Sequence, residues 1–124
     1  EGLARTVKRT KVPVNKIIIS GGGSQSRMAM QITADVFNLP TYRPHTYETS
    51  SLGAAIDAAV GMKFFSDHTA AVGSMTRTGE QFIPDRWNVE MYNQLYDKVY
   101  SKMYNHLQPL YEQIRNVIGY PQKV

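Results

Sequence analysis

The sequence predicts an α/β fold built on a short parallel β-α-β unit, with several further helices and a long helix at its C-terminal end. Three observations carry that expectation. Ile17-Ile18-Ile19 is a β-branched apolar run that stops at Gly21-Gly22-Gly23. Apolar residues then recur at helical spacing from Met28 to Leu39, and again from Trp87 past Leu110.

Taken in order, residues 3–10 suit a helix that cannot pass Pro13, because proline removes a hydrogen bond and crowds the preceding turn. The unbroken isoleucine run predicts a strand covered on both faces, as in a parallel sheet. Ser24 is a favourable N-cap, so the next helix is expected from Ser24 to Asn38, about four turns, ended by Pro40. Thr41-Tyr42-Arg43, between two prolines, reads as a brief strand reached by a right-handed crossover.

Residues 45–51 are polar and turn-like, and a helix of small residues follows, from Ser51 to Val60. Gly53, Ala54 and Ala58 would let a sheet approach that helix closely. Residues 64–84 form a connector with one short helix from Asp67 to Met75, capped by Ser66 or Asp67, and Phe82-Ile83-Pro84 is extended. From Trp87 one long helix is expected, kinked or split at Pro109. Tyr92, Tyr96, Tyr100 and Tyr104 stand four apart along it and predict a half-buried packing face.

A chain of 124 residues with 42% hydrophobic content buries one modest core, so it is one domain or part of one. There are no cysteines, hence no disulfide, thiolate metal site or thiol nucleophile. No apolar run approaches the length of a membrane span, and the chain does not open on a signal-peptide pattern; a soluble, cytoplasmic protein without a membrane partner is expected. The formal charge is +4, with Arg5, Lys8, Arg9, Lys11 and Lys16 near the start. No aromatic residues interleave with these cations, so a solvated surface is favoured over a nucleic-acid site.

The chemistry concentrates at the glycine junction. Glycines between the carboxyl end of a strand and the amino end of a helix lie where open α/β sheets bind ligands. Without a Cβ, the main chain there can take positive φ and accept a flat ring or a phosphate at close range. The spacing matches neither the dinucleotide G-x-G-x-x-G pattern nor a P-loop, so it indicates a nucleotide or anion without saying which. A complete catalytic set is missing. His45, His68 and His106 lack metal-ligand spacing; Asp35 suits a polar helix face, and Asp57 faces either solvent or the site. No serine has a persuasive base nearby.

The run Gly21-Gly22-Gly23-Ser24-Gln25-Ser26, the pair Met30-Gln31, Ala34-Asp35-Val36-Phe37, Pro40, Arg43-Pro44, Glu48 and Ser51-Leu52-Gly53-Ala54-Ala55 together resemble the C-terminal domain of the FGGY carbohydrate kinases. Phe82-Ile83-Pro84-Asp85 and the Tyr-rich helix extend the likeness over most of the chain. The resemblance implies part of a ribonuclease H-like, actin-like ATPase domain, with residues 1–124 its C-terminal part and no second domain present. It implies an enzyme that moves the γ-phosphoryl of ATP to a hydroxyl of a sugar or polyol. Gly21, Gly22, Gly23, Ser24, Gln25, Ser26 and Arg27 would then lie on the adenosine side of the ATP site. Gly21 and Gly22 match the family's paired glycines, and Gly23 replaces a small residue common there. Ser26 stands where glycerol kinases of the family have an adenine-contacting Asn. Arg27 is free either to lie along the adenine or to form a surface ion pair, and Gly53 and Ala54 would pack beside the loop.

The catalytic Asp base, the sugar site and the Mg2+ ligands of such kinases lie upstream of the matching segment. The resemblance therefore implies a fragment that is inactive alone and has the rest of the kinase chain as its partner. Apolar surface left bare by that missing part would favour homo-oligomers. A non-catalytic nucleotide- or anion-binding or regulatory module is the alternative, and nothing in these residues selects a particular sugar.

Overall fold

The computed structural model describes residues 1–119 and contains the expected β-α-β unit. Strand β1 (Ile17–Ile18) pairs in parallel with β2 (Thr41–Pro44), with Ile17 opposite Thr41 and Ile18 opposite Tyr42. Helix α2 (Arg27–Phe37) makes the crossover. A third strand, β3 (Thr78–Phe82), runs antiparallel to β2 and makes a mixed sheet of order β1-β2-β3. The extended character expected of Phe82 to Pro84 thus begins four residues earlier, and it seals the free edge of β2.

The register of β2 and β3 slips between Tyr42 and Pro44, where a proline has no N–H to give to a ladder. Gly79 sits at that irregularity. A Cβ there would lie 2.7 Å from the Arg43 carbonyl oxygen and 2.9 Å from that of Pro44, so this position accepts only glycine without a shift of main chain.

One face of the sheet is packed. Met30 and Ala34 of α2 meet Phe82, and Ile19 packs against them. Met30 is 1% exposed, and burying a side chain of this size is worth about 1.5–3 kcal/mol. Ile18, by contrast, is 62% exposed. The expectation of cover on both faces of β1 fails among the described residues, because α2 covers one side and Ile18 points to the other.

Helix α1 (Gly2–Thr10) ends at Lys11, which adopts φ 61°. Helix α3 (Thr49–Gly61) packs on α4 (His68–Met75), which is capped by Asp67 accepting from the Ala70 N–H at 2.8 Å. Gly53, Ala54 and Ala58 are exposed, so the close sheet contact expected of them is absent among the described residues; Ile56 is the residue that α3 buries. Asp57 faces outward and pairs with His68 at 3.2 Å.

The long C-terminal helix is continuous but not uniform. Helix α5 (Arg86–Leu95) passes into a π-helical turn at Tyr96–Tyr100 and then into α6 (Ser101–Ile118). The irregularity falls at this π turn, while α6 runs unbroken through Pro109. Of the tyrosine stripe only Tyr92 is half-buried among the described residues: Tyr96 and Tyr100 stack with ring centroids 5.7 Å apart, and Tyr100 and Tyr104 are 62% and 67% exposed, so the expected packing face does not extend along the stripe. Among the described residues no helix is long and apolar enough to cross a membrane.

Candidate functional site

The chain leaves β1 through Ser20 and turns at Gly21, whose φ of 84° lies in the left-handed region that favours glycine. Its N–H donates to the Tyr47 carbonyl at 3.1 Å, which ties the bend to the segment entering α3. Thr49 adds a second tie, its hydroxyl donating to the Ser20 hydroxyl at 3.0 Å.

Gly22–Gln25 then form one turn of 3-10 helix ahead of α2. This extra turn moves the cap. Ser24, expected to start the helix, is instead buried, and its hydroxyl donates to the Gly21 carbonyl at 2.7 Å. Ser26 takes the N-cap role, accepting from the Ala29 N–H at 3.3 Å. Helix α2 therefore starts at Arg27 and spans 11 residues, about three turns. It stops at Asn38, in the left-handed conformation with φ 50°, two residues before Pro40.

The bend is bare. A Cβ built on Gly21, Gly22 or Gly23 would meet nothing within 4 Å, and Gly22 and Gly23 are exposed. Gly22 and Gly23 also open the 3-10 turn, so their N–H groups have no acceptor within it. No side chain of the described residues fills the space beside these two glycines. Two apolar grooves lie elsewhere, along α5, the π turn and α6; Trp87, Met91, Leu95 and Val99 line one of them.

Behind the bend stands a charged cluster that adjacent positions in sequence do not announce. Arg43 of β2 donates through one guanidinium nitrogen to the carbonyls of Ser24 at 3.2 Å and Gln25 at 3.4 Å. Its other nitrogen pairs with Glu80 of β3 at 2.5 Å. Arg27 pairs with the second oxygen of Glu80, also at 2.5 Å, and both guanidinium groups lie 5.8 Å from the Phe82 ring centroid. Of the two possibilities for Arg27, this structure holds it in the ion pair, with the side chain 73% exposed. Two cations share one carboxylate, so this cluster carries one net positive charge.

Farther along α2, Asp35 is 1% exposed and accepts from the Asp85 N–H, the Asn88 amide and the Gln31 amide at 2.8–2.9 Å. Burial pushes its pKa up; the hydrogen bonds from Asp85, Asn88 and Gln31 outweigh that and leave it below the ordinary carboxylate value. The polar helix face that the sequence suggests for Asp35 is thus a buried joint between α2 and the start of α5. Among the described residues no three His, Cys, Asp or Glu side chains are grouped to hold a metal ion.

Residues 1–62 match the profile of the FGGY family of carbohydrate kinases, C-terminal domain. An uncharacterized sugar kinase, YgcE, of Escherichia coli is 39% identical over 107 residues, 83% of this chain and 22% of that protein. A xylulose kinase of Staphylococcus epidermidis is 35% identical over 92 residues, 74% of this chain and 18% of its own length. Among solved structures, a ligand-bound xylulose kinase from Lactobacillus acidophilus superposes with a TM-score of 0.74 at 23% identity, over 90% of this chain and 22% of that one. A xylulose kinase from Rhodospirillum rubrum gives 0.67 at 29% identity with the same coverage. The chain spans about a fifth of the length of these relatives.

Proposed function

The chain belongs to the FGGY family of carbohydrate kinases, as part of the C-terminal domain, and carries the actin-like ATPase fold; from that premise we propose that it supplies the adenosine side of the ATP site of a sugar or polyol kinase. The observation that carries this reading is the unobstructed bend at Gly21, Gly22 and Gly23, where added Cβ atoms would meet open space. Packing within the described residues does not demand three glycines in succession. Gly21 is accounted for by its positive φ, and at Gly22 and Gly23 the missing Cβ lets a ligand rest on the main chain. The bent backbone offers the exposed Gly22 and Gly23 N–H groups, which suit a phosphate ester.

In this reading Gly21, Gly22, Gly23 and Ser24 form the floor of the nucleotide site, and Gln25, Ser26 and Arg27 its rim at the start of α2. ATP, when bound, supplies the transferable phosphoryl group. This chain's part is to hold and orient the nucleoside end, since phosphoryl transfer depends chiefly on positioning and charge neutralisation. The Mg2+ ligands and the groups that orient the acceptor hydroxyl belong to the remainder of the kinase, and turnover requires that remainder.

The test is Gly22→Val in the full-length kinase, assayed with ATP and the sugar that it phosphorylates fastest in a panel of pentoses, hexonates and polyols. KM for ATP should rise at least about tenfold, the loss expected for displacing a ligand from one close contact worth ~1.4 kcal/mol. KM for the sugar should stay within twofold. An equal rise in both constants, or none in either, would contradict the assignment.

A further inference from the structure

Arg43 and Glu80 come from neighbouring strands, yet Arg43 reaches the loop that precedes α2, and Glu80 holds both Arg43 and Arg27, the first residue of that helix. A planar guanidinium presents several N–H donors in a fixed fork, and here the fork is divided. One nitrogen serves two successive main-chain carbonyls of the bend, Ser24 and Gln25, and the other is fixed by the Glu80 carboxylate. Each side chain of the Arg43–Glu80 pair is 28% exposed, so the pair is sheltered enough for its geometry to be held. Gly22 and Gly23 have no side chains that could brace the turn; the Gly21 N–H on Tyr47 and the Ser24 hydroxyl on the Gly21 carbonyl hold the entry of the bend, and Arg43 holds its exit.

We propose that Arg43, oriented by Glu80, is the positioning residue that gives the glycine bend a single shape for nucleotide. This rests on the adenosine-side reading of the bend and goes beyond it by naming the group that sets its affinity. Arg43 does so without touching the nucleotide. It anchors the carbonyl side of the turn, so that Gly22 and Gly23 are presented in place and less chain entropy is lost when the ligand arrives.

The experiment is steady-state kinetics of the full-length kinase with Arg43→Lys, Glu80→Gln, Gly22→Val and Tyr42→Phe, varying ATP and sugar separately. In Arg43→Lys the ammonium would reach one acceptor as a point charge, and in Glu80→Gln the amide would keep the shape while removing the charge that aligns the fork. Both variants should raise KM for ATP about three- to tenfold, as expected for loss of one or two net hydrogen bonds, with kcat and KM for sugar within twofold. Tyr42→Phe removes the 2.7 Å bond that its hydroxyl accepts from Gln81 across the same strand pair, and it should leave KM for ATP unchanged.

If Tyr42→Phe raises KM for ATP as much as Arg43→Lys does, the effect is general loosening of the sheet and the proposal is overturned. If Gly22→Val raises KM for ATP while Arg43→Lys and Glu80→Gln do not, the clamp is refuted and the bend remains a nucleotide site. If none of the three changes it, both readings are refuted. Should Arg43→Lys fail to fold, Glu80→Gln is read beside Arg27→Gln, which loses the Arg27–Glu80 pair and keeps Arg43 on the bend: a rise in KM for ATP in Glu80→Gln that Arg27→Gln does not show supports the clamp, and an equal rise in both overturns it.

Discussion

Asp35 is the ionisable group buried among the described residues, at the joint between α2 and the start of α5. Its two oxygens accept from three donors, Gln31 on its own helix and Asp85 and Asn88 at the start of α5, and replacing it by Ala would leave the part-buried Asp85 N–H and Asn88 amide without this partner. Such orphaned donors cost about 1–3 kcal/mol each. Asp35→Ala should therefore lower stability by ~3 kcal/mol in chemical denaturation, measured as a shift in midpoint at constant m-value. Its pKa lies below the ordinary 3.8, so the charged form favours the folded state. That contribution is complete above pH ~4 and falls away as pH drops through the lowered native value. The gap in stability between the natural chain and Asp35→Asn should accordingly be constant near neutrality and narrow below pH ~4. A gap that widens on acidification would mean that Asp35 is held protonated.

At the scale of elements, the β2–β3 pair is the frame on which the bend hangs. Gly79→Ala would push a methyl group against the Arg43 and Pro44 carbonyls, and overpacking of that kind costs about 1–3 kcal/mol. Because Arg43 moves with its own carbonyl, the variant should also raise KM for ATP; a loss of stability with unaltered KM would show that the frame and the bend are independent. The β-α-β unit is legible in the sequence because it is local: a β-branched run, a helix-period pattern and two prolines close together. The start of α2 is not, since Ser24 and Ser26 are chemically equal as caps and only the intervening 3-10 turn chooses between them. Arg43–Glu80 and Asp35–Asp85–Asn88 are illegible for another reason. Partners 37 and 50 or more residues apart leave no mark in periodicity. The π turn is hidden because a four-residue tyrosine spacing suits α-helix and gives no sign of a five-residue bond.

Over the whole molecule the apolar surface is generous. Trp87 is 86% exposed, Val117 84%, Phe64 72% and Met28 70%, and α5 and α6 bury no residue fully. Apolar spacing identifies the long helix but not what it packs against, because a periodic stripe records that a face wants cover without saying which segment provides it. A chain that spans about a fifth of its relatives' length and shows this surface should self-associate when made alone. Sedimentation velocity across a wide range of concentration should give a rising mean mass, and a single monomer throughout would contradict that expectation. The central claim, that nucleotide lies on the glycine bend, has a more direct test in photolabelling of the full-length kinase with 8-azido-ATP. Trypsin cuts after Lys16 and Arg27, so one peptide, Ile17 to Arg27, contains the whole bend. The label should be found on that peptide and be suppressed by excess ATP; label confined to other peptides, or undiminished by ATP, would contradict the claim.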